Sequence, residues 1–433
     1  MKSLLRQSIS KEIKNTLAFR FIYYFIAGLS APATAIFLND VERGFYFTFV
    51  SIVGVYSILD LGLGQTLLII FSREQSKLIN SDNVRNILYA TRTYYKYLSI
   101  IFIIASLIVG NYLFSNYGEV SVNWKGPWIL TSFSTGILLL NSAKLVFLEA
   151  SGKLADVALM RTKQTIFANI FLLILLSLNF SLWAFAIYQL TLAIFSSYFI
   201  YFDKVSFIYR SGRKIVQKPT IKQTYKLWRK NIFHLQWKIS INYICGMIVF
   251  QLITPFVFST LGPAKAGLIG LTLNITNAII VISNSFISAS VPKIGSFIEK
   301  GNELAAYKMF LSLTKKSIIF GSFLLGISFV ISANFYLKLP NIILEPSISF
   351  FIILSAICHI LIFNIATYFR TYKEEPLIPH SILSALLHIL IYSQLKNLSI
   401  EFAFLLIFGI NLLVLILTLK TFKVFKKNTM KIS

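Results

Sequence analysis

Three basic side chains lie inside long apolar stretches of this sequence, at Arg20, Lys144 and Lys238. An ionisable group in a lipid bilayer costs roughly 2.5–3.5 kcal/mol on insertion scales, so each of them calls for an explanation. A guanidinium group binds a phosphate through two parallel hydrogen bonds, and an ammonium group attracts it as a point charge. We therefore predict that the three residues bind a phosphate or pyrophosphate group at a cationic site open to the cytoplasm.

Each of these side chains also has a structural explanation. All three lie close enough to the predicted inner membrane interface to extend their charged ends into water. Lys144 would also be neutralised by an ion pair with Glu149, and Trp237 beside Lys238 is typical of an interfacial anchor. The sequence leaves both explanations open.

Two acidic residues, Asp60 and Glu149, are the candidates for coupling or gating. Asp60 lies near the middle of an apolar segment, too deep to reach the interface easily. It either caps a helical segment that restarts at Gly62 and Gly64, or it pairs with a cation and binds a coupling H⁺ or Na⁺. Glu149 follows Lys144 at the inner end of the same segment.

Other polar residues in the apolar segments carry a weaker signal. His359 and His388 are lone histidines on apolar helices, where packing or a bond to the backbone is the expected role. A set of amides either lines a polar cavity that contacts sugar hydroxyls or forms bonds between helices; it comprises Asn141, Gln251, Asn274, Asn277 and Asn364.

The composition is that of a protein embedded in a bilayer. Of 433 residues, 56% are hydrophobic and 13% are charged, and the mean hydropathy is +0.73. A soluble domain could not bury that much apolar surface. The net charge is +25, but the basic residues form short patches between apolar segments, where they set membrane orientation. We therefore predict no binding of nucleic acid.

A membrane-spanning helix needs about 20 apolar residues, and this criterion predicts twelve of them. The fifth and sixth are separated only by residues 179–181, so a single re-entrant hairpin is the alternative there. Both termini are placed in the cytoplasm, because the outer side then carries only Arg43, Lys125, Lys265, Lys338 and Lys396. The predicted spans are about 16–38, 44–72, 94–115, 127–149, 163–180, 181–202, 231–258, 264–292, 317–337, 346–371, 377–395 and 401–422.

The two halves of the chain repeat each other at an offset of 223 residues. Pro32 and Gly44 correspond at this offset to Pro255 and Gly267, and the later apolar segments follow the same register. An even number of helices in each half predicts a parallel repeat, related by an axis along the membrane normal. We expect an N-terminal six-helix lobe, a basic cytoplasmic linker and a C-terminal six-helix lobe, at residues 1–202, 203–230 and 231–433. The linker either attracts anionic lipid headgroups or only fixes the topology.

The sequence predicts neither an enzyme nor a metal protein. It has no phosphate-binding GxxxxGK[ST] motif, no nucleophile elbow and no cluster of His and Cys at metal-ligand spacing. Cys245 and Cys358 lie in apolar segments, where packing is the expected role. We therefore predict no catalytic residue, no metal site and no cofactor. A membrane glycosyltransferase or polymerase is the enzymatic alternative, but its usual long outer loop is missing from the predicted topology.

The segment FLNDVERGFYFTFVSIVGVYSILDLGLGQTLL resembles the first conserved block of bacterial polysaccharide flippases of the Wzx type. These flippases belong to the multidrug/oligosaccharidyl-lipid/polysaccharide (MOP) exporter superfamily. Gly44-Phe45-Tyr46 and Leu59 to Gly64 carry the likeness. The stretch Phe147 to Gly152 resembles the family's LEG motif but departs from it at Ala150-Ser151. A further block, TPFVFSTLGPAKAGLIGLTLNITNAI, resembles the corresponding part of the second half.

The resemblance implies two six-helix lobes that open alternately to each side of a bacterial inner membrane. It implies a substrate, an oligosaccharide linked to undecaprenyl pyrophosphate, that moves from the cytoplasmic to the outer leaflet, with ion coupling expected. The expected partners are this lipid-linked oligosaccharide, membrane lipids and a coupling H⁺ or Na⁺. A small-molecule or drug antiporter of the same superfamily is the alternative.

Overall fold

The computed structural model describes residues 31–56, 82–115, 122–149, 153–202, 233–288, 290–339, 342–372 and 374–429, together with a few single positions. These residues are almost entirely helical, and the described ranges contain no β-strand. Nine helices in this part of the chain are long and apolar enough to cross a membrane. The protein is therefore an all-α, multi-pass membrane protein, as its composition predicts.

A short helical segment, residues 31–37, precedes the first helix with described bounds. The helices that follow are α1 (Asp40–Gly54), α2 (Asp82–Ser115), α3 (Lys125–Leu148), α4 (Leu154–Ser177), α5 (Leu182–Phe202), α6 (His234–Phe250), α7 (Ile253–Leu261), α8 (Pro263–Ser288), α9 (Val291–Glu299), α10 (Glu303–Lys338), α11 (Pro346–Thr371), α12 (Ile378–Ser393) and α13 (Ile400–Thr429).

From α2 onward the helices lie where spans were predicted, but three of them begin several residues earlier. α2 begins at Asp82, α4 at Leu154 and α10 at Glu303, whereas the sequence predicted spans from positions 94, 163 and 317. The added turns contain charged residues such as Arg92 and so fall outside an apolar window. They remain helical because each further residue adds a backbone hydrogen bond. The first two predicted spans, 16–38 and 44–72, are described only in part.

The fifth and sixth predicted spans are two separate helices joined by a tight turn. α4 ends at Ser177 and α5 begins at Leu182, and each is long and apolar enough to cross a membrane. Asn179 and Ser181, in the turn between them, have φ values of 59° and 50°. Asn tolerates this left-handed conformation better than most residues, which fits a turn at this position.

The predicted repeat is visible where α1 and α8 begin. α7 ends at Leu261 and α8 begins at Pro263, with the single residue Gly262 between them at a φ of 90°. The offset of 223 places Pro263 on Asp40, which is the first residue of α1. The two helix starts also touch, because a Cβ on Gly44 would overlap the backbone of Pro263.

α1 starts with a reciprocal cap. The Glu42 N–H donates to Asn39 Oδ1 at 2.8 Å, and the Asn39 N–H donates to Glu42 Oε2 at 3.3 Å. The fully buried Arg43 pairs with Asp40 and donates to the Ile342 carbonyl at 3.3 Å. Burial lowers the pKa of Arg43, and the Asp40 carboxylate opposes that shift. Arg43 therefore joins the first turn of α1 to the chain that leads into α11.

The chain divides into two compact units. The first comprises Met1–Leu38 and Thr48–Met247, and the second comprises Asn39–Phe47 and Ile248–Ser433. The predicted lobes divide the chain elsewhere, at a linker that lies outside the described residues except for Arg229. The lobe boundaries stay a prediction.

Each unit has its own packed interior. In the first unit, Phe49 lies 4.6 Å from Trp128 and 5.1 Å from Phe114 between ring centroids. The Trp128 indole donates to the Ser106 carbonyl at 3.0 Å, so its polar atom is satisfied inside this core. In the second unit, Phe310 lies 4.4 Å from Tyr368, again between ring centroids. These interiors position the polar side chains described next.

Candidate functional site

Lys144 lies in the last two turns of α3 and is buried in the first unit, with 4% of its surface exposed. Its ammonium group donates to Tyr201 Oη at 2.6 Å and to Asn141 Oδ1 at 3.2 Å. It also lies 4.6 Å from the centre of the Tyr201 ring, within the range of a cation–π interaction. The positive charge is therefore held inside the helix bundle and does not face lipid.

The amide of Asn141 fixes this arrangement from the other side. Its Nδ2 donates to Ser197 Oγ at 2.9 Å and to Ser196 Oγ at 3.1 Å, both on α5. Because Asn141 precedes Lys144 by three residues, the two side chains lie on the same face of α3. The Lys144 cluster, which comprises Lys144, Asn141, Tyr201, Ser196 and Ser197, thus connects α3 to α5 through polar contacts.

Glu149 follows α3 and forms its ion pair with Arg161 on α4 at 3.0 Å. The carboxylate is 14% exposed and the guanidinium is 45% exposed. The sequence offered Lys144 as the partner of Glu149, but Lys144 is directed toward α5. The ion pair therefore connects the end of α3 to α4 at a partly exposed position.

The other predicted site residues are less well defined. Lys238 is half-buried on α6, and Trp237 next to it is 43% exposed, as expected of an interfacial anchor. Arg20 and Asp60 lie outside the described residues. The roles of Arg20, Lys144 and Lys238 in substrate binding, and of Asp60 and Glu149 in coupling, stay predictions.

Three further buried polar side chains in the first unit were not predicted from the sequence. Gln164 and Asn169 on α4 and Gln189 on α5 are each less than 9% exposed. Their side-chain oxygens make no hydrogen bond with a described residue. Buried polar atoms normally have a partner, so these positions suit contact with water or a substrate. An amide within an apolar helix is the signal that could have identified them.

The second unit contains a pocket that encloses about 470 Å³ of unfilled space, part of it open to the surroundings. Its lining includes both histidines noted in the sequence, His359 on α11 and His388 on α12. His388 makes the expected bond to the backbone, since its Nδ1 lies 2.7 Å from the Ser384 carbonyl oxygen. The ring centroid of His359 lies 4.6 Å from that of Phe250. Within the described ranges, no group of His, Cys, Asp or Glu is arranged to hold a metal ion.

Comparison with known proteins identifies the fold. No protein-family model and no curated protein matches the chain. An outward-facing multidrug resistance MATE family transporter of the MOP superfamily is similar over 98% of this chain and 97% of its own, with 12% identity and a TM-score of 0.62. An inward-facing transporter of that description is similar over 97% and 96%, with 14% identity and a TM-score of 0.62.

A third similar structure is a MOP superfamily transporter from Pyrococcus furiosus, described as having a binding pocket of reverse polarity that suggests a different function. It covers 97% of this chain and 96% of its own, with 12% identity and a TM-score of 0.54. At these identities the likeness concerns the fold alone. The chain thus has the all-helical fold of the MATE transporters of the MOP superfamily.

Proposed function

We propose that the protein is a membrane transporter that works by alternating access and exports small organic molecules in exchange for ions. The observation that carries this proposal is the match along nearly the whole chain to multidrug transporters in both outward-facing and inward-facing forms. A fold seen in both forms suits a mechanism that alternates between them. The pocket of the second unit, which is lined by aliphatic, aromatic and polar side chains, is also typical of a site for small molecules.

Efflux from proteoliposomes tests this function. Vesicles that contain the purified full-length chain are loaded with fluorescent organic dyes and given an inward gradient of H⁺ or Na⁺. We expect dye loss that depends on the gradient and is absent from protein-free vesicles. Retention of every dye under both gradients would count against a small-molecule antiporter.

A second candidate is the flippase of lipid-linked oligosaccharides, and one specific observation favours it. Lys144 places a positive charge in the interior of the first unit, next to the neutral groups of Asn141 and Tyr201. An interior cation suits the pyrophosphate of a lipid-linked sugar better than it suits a cationic drug. The sequence blocks around Gly44-Phe45-Tyr46 support the same reading.

Surface polysaccharide in a deletion strain tests this second candidate. The strain is complemented with Lys144→Ala or, as a matched control, with Lys163→Ala on the exposed side of α4, both at equal membrane level. The flippase hypothesis expects lipid-linked repeat units to accumulate in the inner leaflet for Lys144→Ala only. Normal surface polysaccharide in the uncomplemented deletion strain would exclude the flippase and favour the antiporter.

The other site residues and the linker predicted from the sequence would have the following roles in such a transporter. The coupling H⁺ or Na⁺ would bind at Asp60 or Glu149, and Arg20 and Lys238 would assist Lys144 at the cytoplasmic entrance. The basic linker at residues 203–230 would face the anionic lipids of a bacterial inner membrane, with both termini in the cytoplasm.

A further inference from the structure

Three deeply buried side chains that line the pocket of the second unit have an atom without a hydrogen-bond partner among the described residues. They are His388, Asn411 and Ser355, which are 1%, 1% and 7% exposed. The atoms concerned are His388 Nε2, Asn411 Oδ1 and Ser355 Oγ. They come from three different helices, α12, α13 and α11. Because buried polar atoms usually have a partner, three unpartnered atoms on side chains that line one pocket suit contact with a ligand.

The chemistry of these atoms shows what the ligand must offer. A backbone carbonyl can only accept, so His388 Nδ1, at 2.7 Å from the Ser384 oxygen, carries the proton of the neutral ring. His388 Nε2 is then an acceptor, and so is Asn411 Oδ1. The Ser355 hydroxyl both accepts and donates. A ligand that satisfies all three must therefore bring hydrogen-bond donors.

The walls of the pocket define the rest of the ligand. The lining also includes the aromatic residues Phe250, His359 and Phe404, four isoleucines, and the polar residues Thr276 and Asn277. Tyr392 also lines the pocket, and its hydroxyl already donates to the Val249 carbonyl at 3.1 Å. The lining residues include no Asp, Glu, Lys or Arg, so a charged ligand would lack a countercharge. Flat aromatic walls without charge suit a neutral ring.

We propose that this pocket binds a neutral ring that carries hydroxyl donors, which bond to His388 Nε2 and Asn411 Oδ1 while the ring packs against Phe250 and Phe404. The proposal rests on the transport function proposed above and names a substrate class for this pocket. Two sources supply such chemistry: a sugar ring in the headgroup of a lipid-linked oligosaccharide, and a phenolic small molecule.

Binding of matched probe pairs to the full-length protein tests the proposal. The protein is placed in lipid nanodiscs prepared without glycoside detergents, and binding is followed by saturation-transfer NMR. One pair is methyl glucoside and its fully O-methylated ether, and the other is phenol and anisole. Within a pair, methylation removes the donors but keeps the ring. We expect the hydroxyl form of at least one pair to bind ten times more tightly than its ether.

Variants locate the binding. Asn411→Leu and His388→Phe are expected to reduce the affinity of the hydroxyl probe to that of its ether, whereas His388→Gln, which keeps an acceptor, preserves most of it. Asn364→Leu is the matched control, because Asn364 is as deeply buried but does not line the pocket. Each variant is first shown to be folded by a cooperative thermal unfolding transition above the temperature of the binding measurement. The proposal is overturned if ether and hydroxyl forms bind equally, if neither ring binds, or if Asn364→Leu weakens binding as much as Asn411→Leu.

The outcomes distinguish a sugar from a phenolic ligand, and they also distinguish failure of the pocket proposal from failure of the transport proposal. Binding of the glucoside alone indicates a sugar headgroup, and binding of phenol alone indicates a small aromatic substrate. Transport that continues without binding of either probe pair would refute the pocket assignment and leave the transporter in place. Specific binding without transport of dyes or lipid-linked sugar would refute the proposed function and leave the site in place.

Discussion

The interior of each unit holds a polar site, and the two sites differ in how their hydrogen bonds are satisfied. In the first unit, the Lys144 cluster is linked internally, since the ammonium contacts Asn141 and Tyr201 and Asn141 contacts two serines. In the second unit, His388 and Asn411 each present an acceptor that no described residue satisfies.

The difference separates two roles for buried polar groups. An internally bonded group holds a charge in a fixed place before a ligand arrives, which reduces the ordering cost of binding. An acceptor without a partner costs stability in the empty protein, and a ligand with the right donor recovers that cost. Under the proposals above, the first site presents a charge to the ligand and the second recognises a hydrogen-bond donor.

The largest expected loss of stability concerns the packing of the second unit away from its pocket. Gly44→Ala places a methyl group on the backbone of Pro263, where neither chain segment can move aside easily. We expect a loss of stability of about 3 kcal/mol, at the upper end for overpacking. Thermal unfolding of the purified protein measures it. Gly246→Ala on α6 is the control, because a Cβ there meets nothing within 4 Å. Equal melting temperatures for the two variants would mean that the contact between the two helix starts is not tight.

The next largest loss of stability concerns the Lys144 cluster of the first unit. Asn141→Leu removes an acceptor from Lys144 and a donor from Ser196 and Ser197, while the ammonium stays buried. We expect a loss of about 1–3 kcal/mol, the usual cost of breaking a buried bond from one side. Ser142→Ala, one residue further, loses only a bond to the Leu138 carbonyl of its own helix at 3.0 Å and should cost less. Both variants are compared by thermal unfolding, and equal losses would contradict the connected cluster.

The observed helix starts show which parts of the fold could be predicted from the sequence. The start of α8 was predicted within one residue, at about 264 against the observed Pro263, whereas α1 begins at Asp40, four residues before the predicted 44. The starts of α2, α4 and α10 were missed, because their first turns contain charged residues and lie outside any apolar window. Hydropathy indicates where a helix can cross a membrane, and backbone hydrogen bonding determines where it ends.

The sequence likewise identified individual polar residues but not the contacts between them. Lys144 was noticed because a charged residue within an apolar segment can be recognised from the sequence alone. Its contact with Tyr201 was not predicted, because α3 and α5 come together only in the folded protein. The ion pair of Glu149 was assigned to a neighbour in sequence, whereas its partner Arg161 lies on the next helix. The pocket of the second unit was foreseen only at Asn277, one of the amides that the sequence offered as lining a polar cavity. Its three unpartnered groups were not foreseen, since α11, α12 and α13 each contribute one of them.

In the second unit, Asn411→Leu is expected to change the stability in the opposite direction to Asn141→Leu. Asn411→Leu replaces a buried acceptor without a described partner by an apolar group of similar size. Removing such a group is nearly neutral or stabilising, so we expect the empty protein to gain between zero and about 1 kcal/mol. Thermal unfolding without ligand measures this. A loss as large as that of Asn141→Leu would show that Asn411 is bonded internally, and the contrast between the two units would disappear.

The smallest expected change in stability concerns Glu149, and it tests whether the first site includes a coupling group. Its partner Arg161 is 45% exposed, and partly exposed ion pairs contribute about 0–1 kcal/mol, so Glu149→Gln should leave the melting temperature almost unchanged. Because the fold is kept, any change in transport then reports on function. If Glu149 takes part in coupling, Glu149→Gln slows efflux driven by an ion gradient more than counterflow exchange of substrate, which needs no net ion movement. Asp156→Asn is the control, because Asp156 also pairs with a basic residue, Lys153 at 3.9 Å near the start of α4, but its carboxylate is 42% exposed against 14% for Glu149. Equal transport in both variants would restrict Glu149 to joining α3 and α4, and coupling would have to depend on Asp60 or on a group outside this site.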